Sequence, residues 1–324
     1  MKQKRTLVDA VRPTAPPAKT DLPAAVLWTV AGAALGYLGL SLWVGWRAVL
    51  AAVLQAGPAV LLALLSLSLL NYFLRFARWA RYLALLEVSV PWRINLNAYF
   101  SGFALTTSPG KLGESIRSIL LKPHGVPPLA SLAAFFAERA SDLLSVLLLT
   151  TLGAWTYAPA RWPLACALLL LCGILLLAQR VSLITWISVW ASARSSRLAR
   201  LTVHLCNLVL QFRRCFTLPA LAMGLSFGLA AWFAEGLGFW FLLNALGHPL
   251  ALTQAVFIYA FAMLIGGLSF LPGGLGSSEA TMIALLTLNG LPEVSAISAT
   301  LICRLATLWF AVALGAILLL RRKK

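Results

Sequence analysis

The sequence predicts an all-α polytopic membrane protein, and three observations carry that prediction. Of 324 residues, 61% are hydrophobic and only 11% charged, and the mean hydropathy is +0.89. A soluble domain averages roughly a quarter charged residues, so lipid must be the solvent for most of this chain. Apolar runs of about 20 residues recur, the length that crosses a hydrocarbon core. The 26 Lys and Arg against 9 Asp and Glu, a net +17, collect mainly at the ends of those runs. They form no aromatic-interleaved patch, so no nucleic-acid partner is expected. The five cysteines, Cys166, Cys172, Cys206, Cys215 and Cys303, include no CxxC pair, and His124, His204 and His248 lie far apart. No disulfide framework, metal site or cofactor is expected from such spacing.

The elements follow in order. Residues 1–21, with Lys2, Lys4, Arg5, Arg12, Lys19 and the prolines of 13–17, predict a solvated tail. The run 22–44 is too long for a signal-peptide core and predicts a retained first span. A second span is expected at 57–74, ending at Arg75, Arg78 and Arg81, a third at 128–152 and a fourth at 163–178. Residues 181–216 mix tryptophans and arginines as helices on a cationic interface do. The fifth span is expected at 218–243 and the sixth at 294–320, before the basic end 321–324; residues 22–320 form one transmembrane domain. Asn71, Arg75, Arg78, Trp79 and Tyr82 resemble an interfacial anchor, with headgroup contact as the alternative. Two further apolar stretches, 95–121 and 252–288, are interrupted by Pro and Gly. Such a break at membrane depth is tolerated only where the backbone is buried in protein or lines a wet cavity, so both predict re-entrant helical hairpins.

This topology separates the charges. The expected external loops hold only Arg47 and Arg161, and Lys111, Arg117, Arg139 and Arg304 fall inside hairpins or spans. The other 20 of the 26 basic residues then lie on the cytoplasmic side, which places both termini in the cytoplasm.

The two breaks resemble each other. Pro109-Gly110-Lys111-Leu112-Gly113 matches Pro272-Gly273-Gly274-Leu275-Gly276 at a shift of 163. After a two-residue insertion the shift is 165, and Glu114 falls on Glu279, Gly125 on Gly290, Pro127 on Pro292 and Arg139 on Arg304. Two copies of one unit are therefore expected, repeat 1 at 57–157 and repeat 2 at 217–320, with opposite membrane polarity. Inverted repeats with broken helices are an architecture of secondary transporters, whose site lies at the repeat interface.

Arg139 and Arg304 fall near the middle of their spans, where a guanidinium costs about 3 kcal/mol or more on insertion scales. With Lys111 they predict a cationic cavity for an anionic headgroup, since guanidinium pairs phosphate oxygens bidentately. Glu114, Glu279, Glu138 and Asp142 complete the candidate site, and Glu235 is a further candidate partner. The helix ends exposed at Pro109, Gly110, Gly113, Pro272, Gly273, Gly274 and Gly276 add fixed partial charges there. A purely structural role, in which the carboxylates neutralise the arginines, remains the competing reading. The GxSxG string at 224–228 follows no strand and 273–276 lacks a P-loop ending, so neither hydrolysis nor ATP binding is expected.

At these residues the sequence resembles a known family. SPGKLGES at 108–115, ERASD at 138–142, LPGGLGSSE at 271–279, Arg304 and NYFLRFARW at 71–79 are similar to the flippase-like transmembrane domain of the lysylphosphatidylglycerol synthase family. In full-length bacterial members that domain moves aminoacylated phosphatidylglycerol between leaflets, and a cytosolic domain makes the lipid. The given sequence ends at Lys324 without a synthase domain. The resemblance therefore implies a bacterial inner-membrane lipid flippase without aminoacyl-transferase activity, not an enzyme. Stand-alone members are associated with hopanoid or glycolipid pathways, so the alternative is a non-transporting partner of a biosynthetic enzyme. A membrane lipid is the expected ligand; self-association is left open.

Overall fold

The computed structural model describes residues 39, 46–154, 161–194 and 196–321. The expected tail lies outside the described residues, as do the first span except Gly39 and the basic end except Arg321. Among the described residues every regular element is helical. The order is α1 (Trp46–Leu85), α2 (Trp92–Gly102), α3 (Ile116–Leu121), α4 (Pro128–Ala154), α5 (Arg161–Ala178), α6 (Val181–Ser192), α7 (Arg197–Phe212), α8 (Leu218–Ala245), α9 (Leu252–Leu268), α10 (Ser277–Leu288) and α11 (Glu293–Arg321).

Among the described residues four helices, α1, α5, α8 and α11, are long and apolar enough to cross a membrane. Helix α4 has 27 residues but carries Glu138, Arg139 and Asp142 in its middle. The outer surface is apolar: Leu54, Leu62, Leu169 and Leu218 are all exposed, as suits side chains that face acyl tails. Helix α1 changes direction at Gly57 (φ 75°, ψ 163°), followed by Pro58. Proline lacks the N–H that would continue the ladder, so the expected start of this span is a break inside a longer helix. The helix then runs past its expected end, through Arg75 and Arg78, to Leu85.

The expected interruptions are present. Helix α2 passes into 3₁₀ turns at Phe103–Leu105 and Pro109–Ser115 before α3 begins, and α9 is separated from α10 by a turn at Pro272–Gly274. The two breaks touch, because a Cβ on Gly273 would sit 3.3 Å from the Thr107 Cα.

Local backbone features also recur. The Val88 N–H bonds the Leu83 carbonyl (2.9 Å) after left-handed Glu87, and the His248 N–H bonds the Leu243 carbonyl (3.0 Å) after left-handed Gly247. Left-handed Gly125 and Gly290 end α3 and α10 in one manner, with Val126 N–H on the Leu121 carbonyl and Leu291 N–H on the Leu286 carbonyl. Both are αL helix stops of the kind that satisfy orphan carbonyls.

Helices α1 and α8 pack along each other, and the Asn71 amide donates to the Ala231 carbonyl at 2.9 Å. The glycines of the GxSxG string let α8 approach both α1 and α4 closely. A Cβ at Gly224 would strike the Tyr82 hydroxyl, and one at Gly228 the Ser145 hydroxyl. Helix α11 approaches the end of α2 in the same way, since a Cβ on Gly315 would collide with the Ala104 nitrogen and the Phe100 carbonyl. Backbone cannot give way as a side chain can. Gly315→Leu is therefore expected to cost at least the 1–3 kcal/mol, roughly, of an overpacked core, read as a lower melting temperature in detergent.

Candidate functional site

Four helical segments assemble a buried network of charge. Helix α4 contributes Glu138 and Asp142, four residues apart on one face, and Arg139 lies 3.0 Å from Asp142. Helix α1 brings Arg75 and Arg78, one turn apart; the first break brings Glu114, and α3 brings Arg117. Arg117 donates to Glu138 and to Glu114, each at 2.7 Å. Arg78 pairs with Asp142, and Arg75 lies 3.4 Å from both Glu138 and Asp142. The Tyr99 hydroxyl donates to Glu138 (2.5 Å), the Thr106 hydroxyl to Glu114 (2.9 Å) and the Trp232 indole to Asp142 (3.1 Å). Four guanidiniums thus face three carboxylates. Burial on this scale is tolerable only because each charge is paired.

This corrects one expectation. Arg75 and Arg78 do not anchor the protein at an interface, because Asn71, Arg78, Trp79 and Tyr82 are fully buried and Arg75 nearly so. Carboxylates on α4 draw the two arginines into the core. Sequence reasoning also missed Arg117 and Tyr99. The signals available were the i,i+3 spacing of Glu114 and Arg117 and the shortage of cations for three carboxylates.

The second break carries its own pair. The Arg304 Nε donates to Glu279 (2.6 Å), and an Nη donates to the Gly273 carbonyl at 3.1 Å. Glu279 also accepts the Gly276 N–H at 2.7 Å, capping α10. The helix end expected to hold a ligand is therefore occupied by its own carboxylate. In the first break Ser108 Oγ likewise accepts the Gly113 N–H at 2.6 Å. Directly after Arg304, α11 widens into a π-turn at Leu305–Trp309, a distortion frequent at functional sites.

Between the two networks lies a cavity of about 280 Å³. Its wall takes Lys111 and Arg139 from one side and Arg304 from the other, with Asp142, Trp232, Met263 and Phe270. Glu114, Glu138 and Glu279 are not part of that wall. Arg139 keeps 19% of its side chain exposed, whereas Glu114, Glu138 and Arg117 keep none. Lys111 holds a left-handed backbone (φ 57°) at the position matched by Gly274 (φ 69°) in the other break, and its ammonium sits 5.7 Å from the centre of the Trp232 ring. A non-glycine residue there costs about 1–2 kcal/mol.

Residues 27–315 match the lysylphosphatidylglycerol synthase TM region. The chain belongs to this family. Its relatives include a UPF0104 membrane protein of Methanothermobacter thermautotrophicus, 25% identical over 308 residues that cover 86% of this chain and 88% of the relative. A second UPF0104 membrane protein from that organism is 25% identical over 293 residues, covering 82% and 86% of the two chains. One from Pyrococcus horikoshii is 30% identical over 93 residues, covering 29% and 28%. The protein is thus an all-α membrane protein of the lysylphosphatidylglycerol synthase TM family. In this family member both breaks, all four core guanidiniums and Arg304 fall inside the matched residues.

Proposed function

We propose that this protein moves an anionic phospholipid between leaflets, holding the headgroup on Lys111, Arg139 and Arg304 while the acyl chains stay in lipid. The observation that carries the proposal is the cavity of about 280 Å³, where those three cations share a wall with apolar side chains at the meeting of two broken helices. Binding and release are the only chemistry required, so the protein acts as a carrier and makes no bond. Two inverted copies of one unit would let the cavity open to either leaflet in turn. That reading is supported by the matched helix stops at Glu87 and Gly247 and at Gly125 and Gly290. The distribution of basic residues favours a cytoplasmic membrane with both termini inside.

The test is transfer of labelled phosphatidylglycerol in proteoliposomes. Arg139→Ala removes one charge-assisted contact, worth about 1.5–3 kcal/mol, so the lipid is expected to bind about 10- to 100-fold more weakly, with transfer slowed. A folded Arg139→Ala protein that transfers the lipid at the wild-type rate would sink the proposal. Lys111→Gly separates function from fold. Glycine fits the left-handed turn that lysine occupies under strain, so thermal stability is expected to hold or rise while phosphatidylglycerol binding falls.

A further inference from the structure

Glu235, in the middle of α8, is the unusual carboxylate of the core. Glu114, Glu138, Asp142 and Glu279 each have a guanidinium nitrogen within 3.0 Å. Glu235 is equally buried, 5% exposed, yet among the described residues no Lys or Arg nitrogen lies within 4.0 Å of it. Its partner is the Tyr259 hydroxyl, which donates at 2.5 Å. It lines a second cavity of about 40 Å³, and that cavity shares Lys111, Trp232, Met263 and Arg304 with the larger one. A space of that size admits water, which needs roughly 10–15 Å³. The titratable and charged groups that face Glu235 are Tyr72 and Arg75 from α1, Lys111 from the first break, Tyr259 from α9, and Cys303 and Arg304 from α11.

We propose that Glu235 is a proton-binding site linked to headgroup binding in the adjoining cavity, so that an anionic lipid enters together with a proton. The inference rests on the lipid-carrier function proposed above. With the cavity empty, the positive fields of Lys111, Arg75 and Arg304 favour the anionic form of Glu235 without touching it. A headgroup phosphate on Lys111 and Arg304 cancels that field at close range, in surroundings that screen charge weakly. The carboxylate is then left uncompensated and takes up one proton from the bulk solution, relayed through cavity water, becoming a neutral acid. Linkage makes the effect reciprocal, so protons tighten lipid binding as lipid tightens proton binding.

The experiment adds short-chain phosphatidylglycerol, or phosphatidylcholine as control, to the full-length protein in weakly buffered detergent containing a pH-indicator dye, with binding followed separately by calorimetry. Proton uptake is expected with phosphatidylglycerol only, with loss of that uptake in Glu235→Gln and its return in Glu235→Asp. A wild-type infrared difference spectrum serves if Glu235→Gln fails to fold: lipid should produce a protonated-carboxyl band whose frequency moves in Tyr259→Phe. Phosphatidylglycerol that binds without proton uptake, full uptake by Glu235→Gln, or a spectrum without that band overturns the inference and leaves the carrier function standing. No binding of phosphatidylglycerol at all overturns both.

Discussion

Replacing Glu138 by alanine is expected to cost about 3–5 kcal/mol, the range for breaking a buried ion pair, and to appear as loss of monodisperse protein after extraction. Glu138 accepts from Arg117 and Tyr99 and lies 3.4 Å from Arg75 and 3.2 Å from Arg139. Its removal leaves Arg117 with Glu114 alone and gives four guanidiniums only two carboxylates, and Arg75, Arg78 and Arg117 cannot reach water without opening the core. Glu138→Gln keeps an acceptor for Tyr99 and loses the charge, so its melting temperature should fall between those of the wild type and the alanine variant. A melting temperature for Glu138→Ala equal to that of the wild type would show that the network is not what holds α1, α3 and α4 together.

The second large effect is expected at Arg304, where the single and double variants should part. Arg304→Ala strands Glu279 against α10 and frees the Gly273 carbonyl, so it should destabilise by about 3 kcal/mol or more. Exchanging both partners for apolar residues of similar volume is often neutral. Arg304→Met with Glu279→Met is therefore expected to recover much of the melting temperature, less about 1 kcal/mol for the lost cap at Gly276. Phosphatidylglycerol transfer should stay low in the double variant, because the cavity still lacks one of its cations. Recovery of stability and transfer together would mean that Arg304 is a structural brace and no part of the headgroup site.

These expectations differ in how far the residues alone could support them. Arg139 and Arg304 were legible because a guanidinium midway along an apolar run must have a partner, and the pairing of Arg139 with Asp142 follows from i,i+3 spacing on one helix. The interruptions at 109–113 and 272–276 were legible too, since a proline followed by clustered glycines disfavours a continuous helix. Arg75 and Arg78 were not. They stand at the end of an apolar run, where local sequence favours an interfacial position, and only α4 packed beside α1 makes burial the better outcome.

Composition and periodicity by themselves determined the solvent, the helical class, four of the six expected spans as long apolar helices, and the two Pro-Gly interruptions. Each of these depends on residues within one turn or one run of the chain. The tertiary structure decided which charges neutralise one another and which face the cavity. Glu138 and Arg139 are neighbours in sequence, yet one is sealed among four guanidiniums and the other borders open space. Helical geometry turns adjacent side chains about 100° apart, and what each then meets is set by the helix packed against that face.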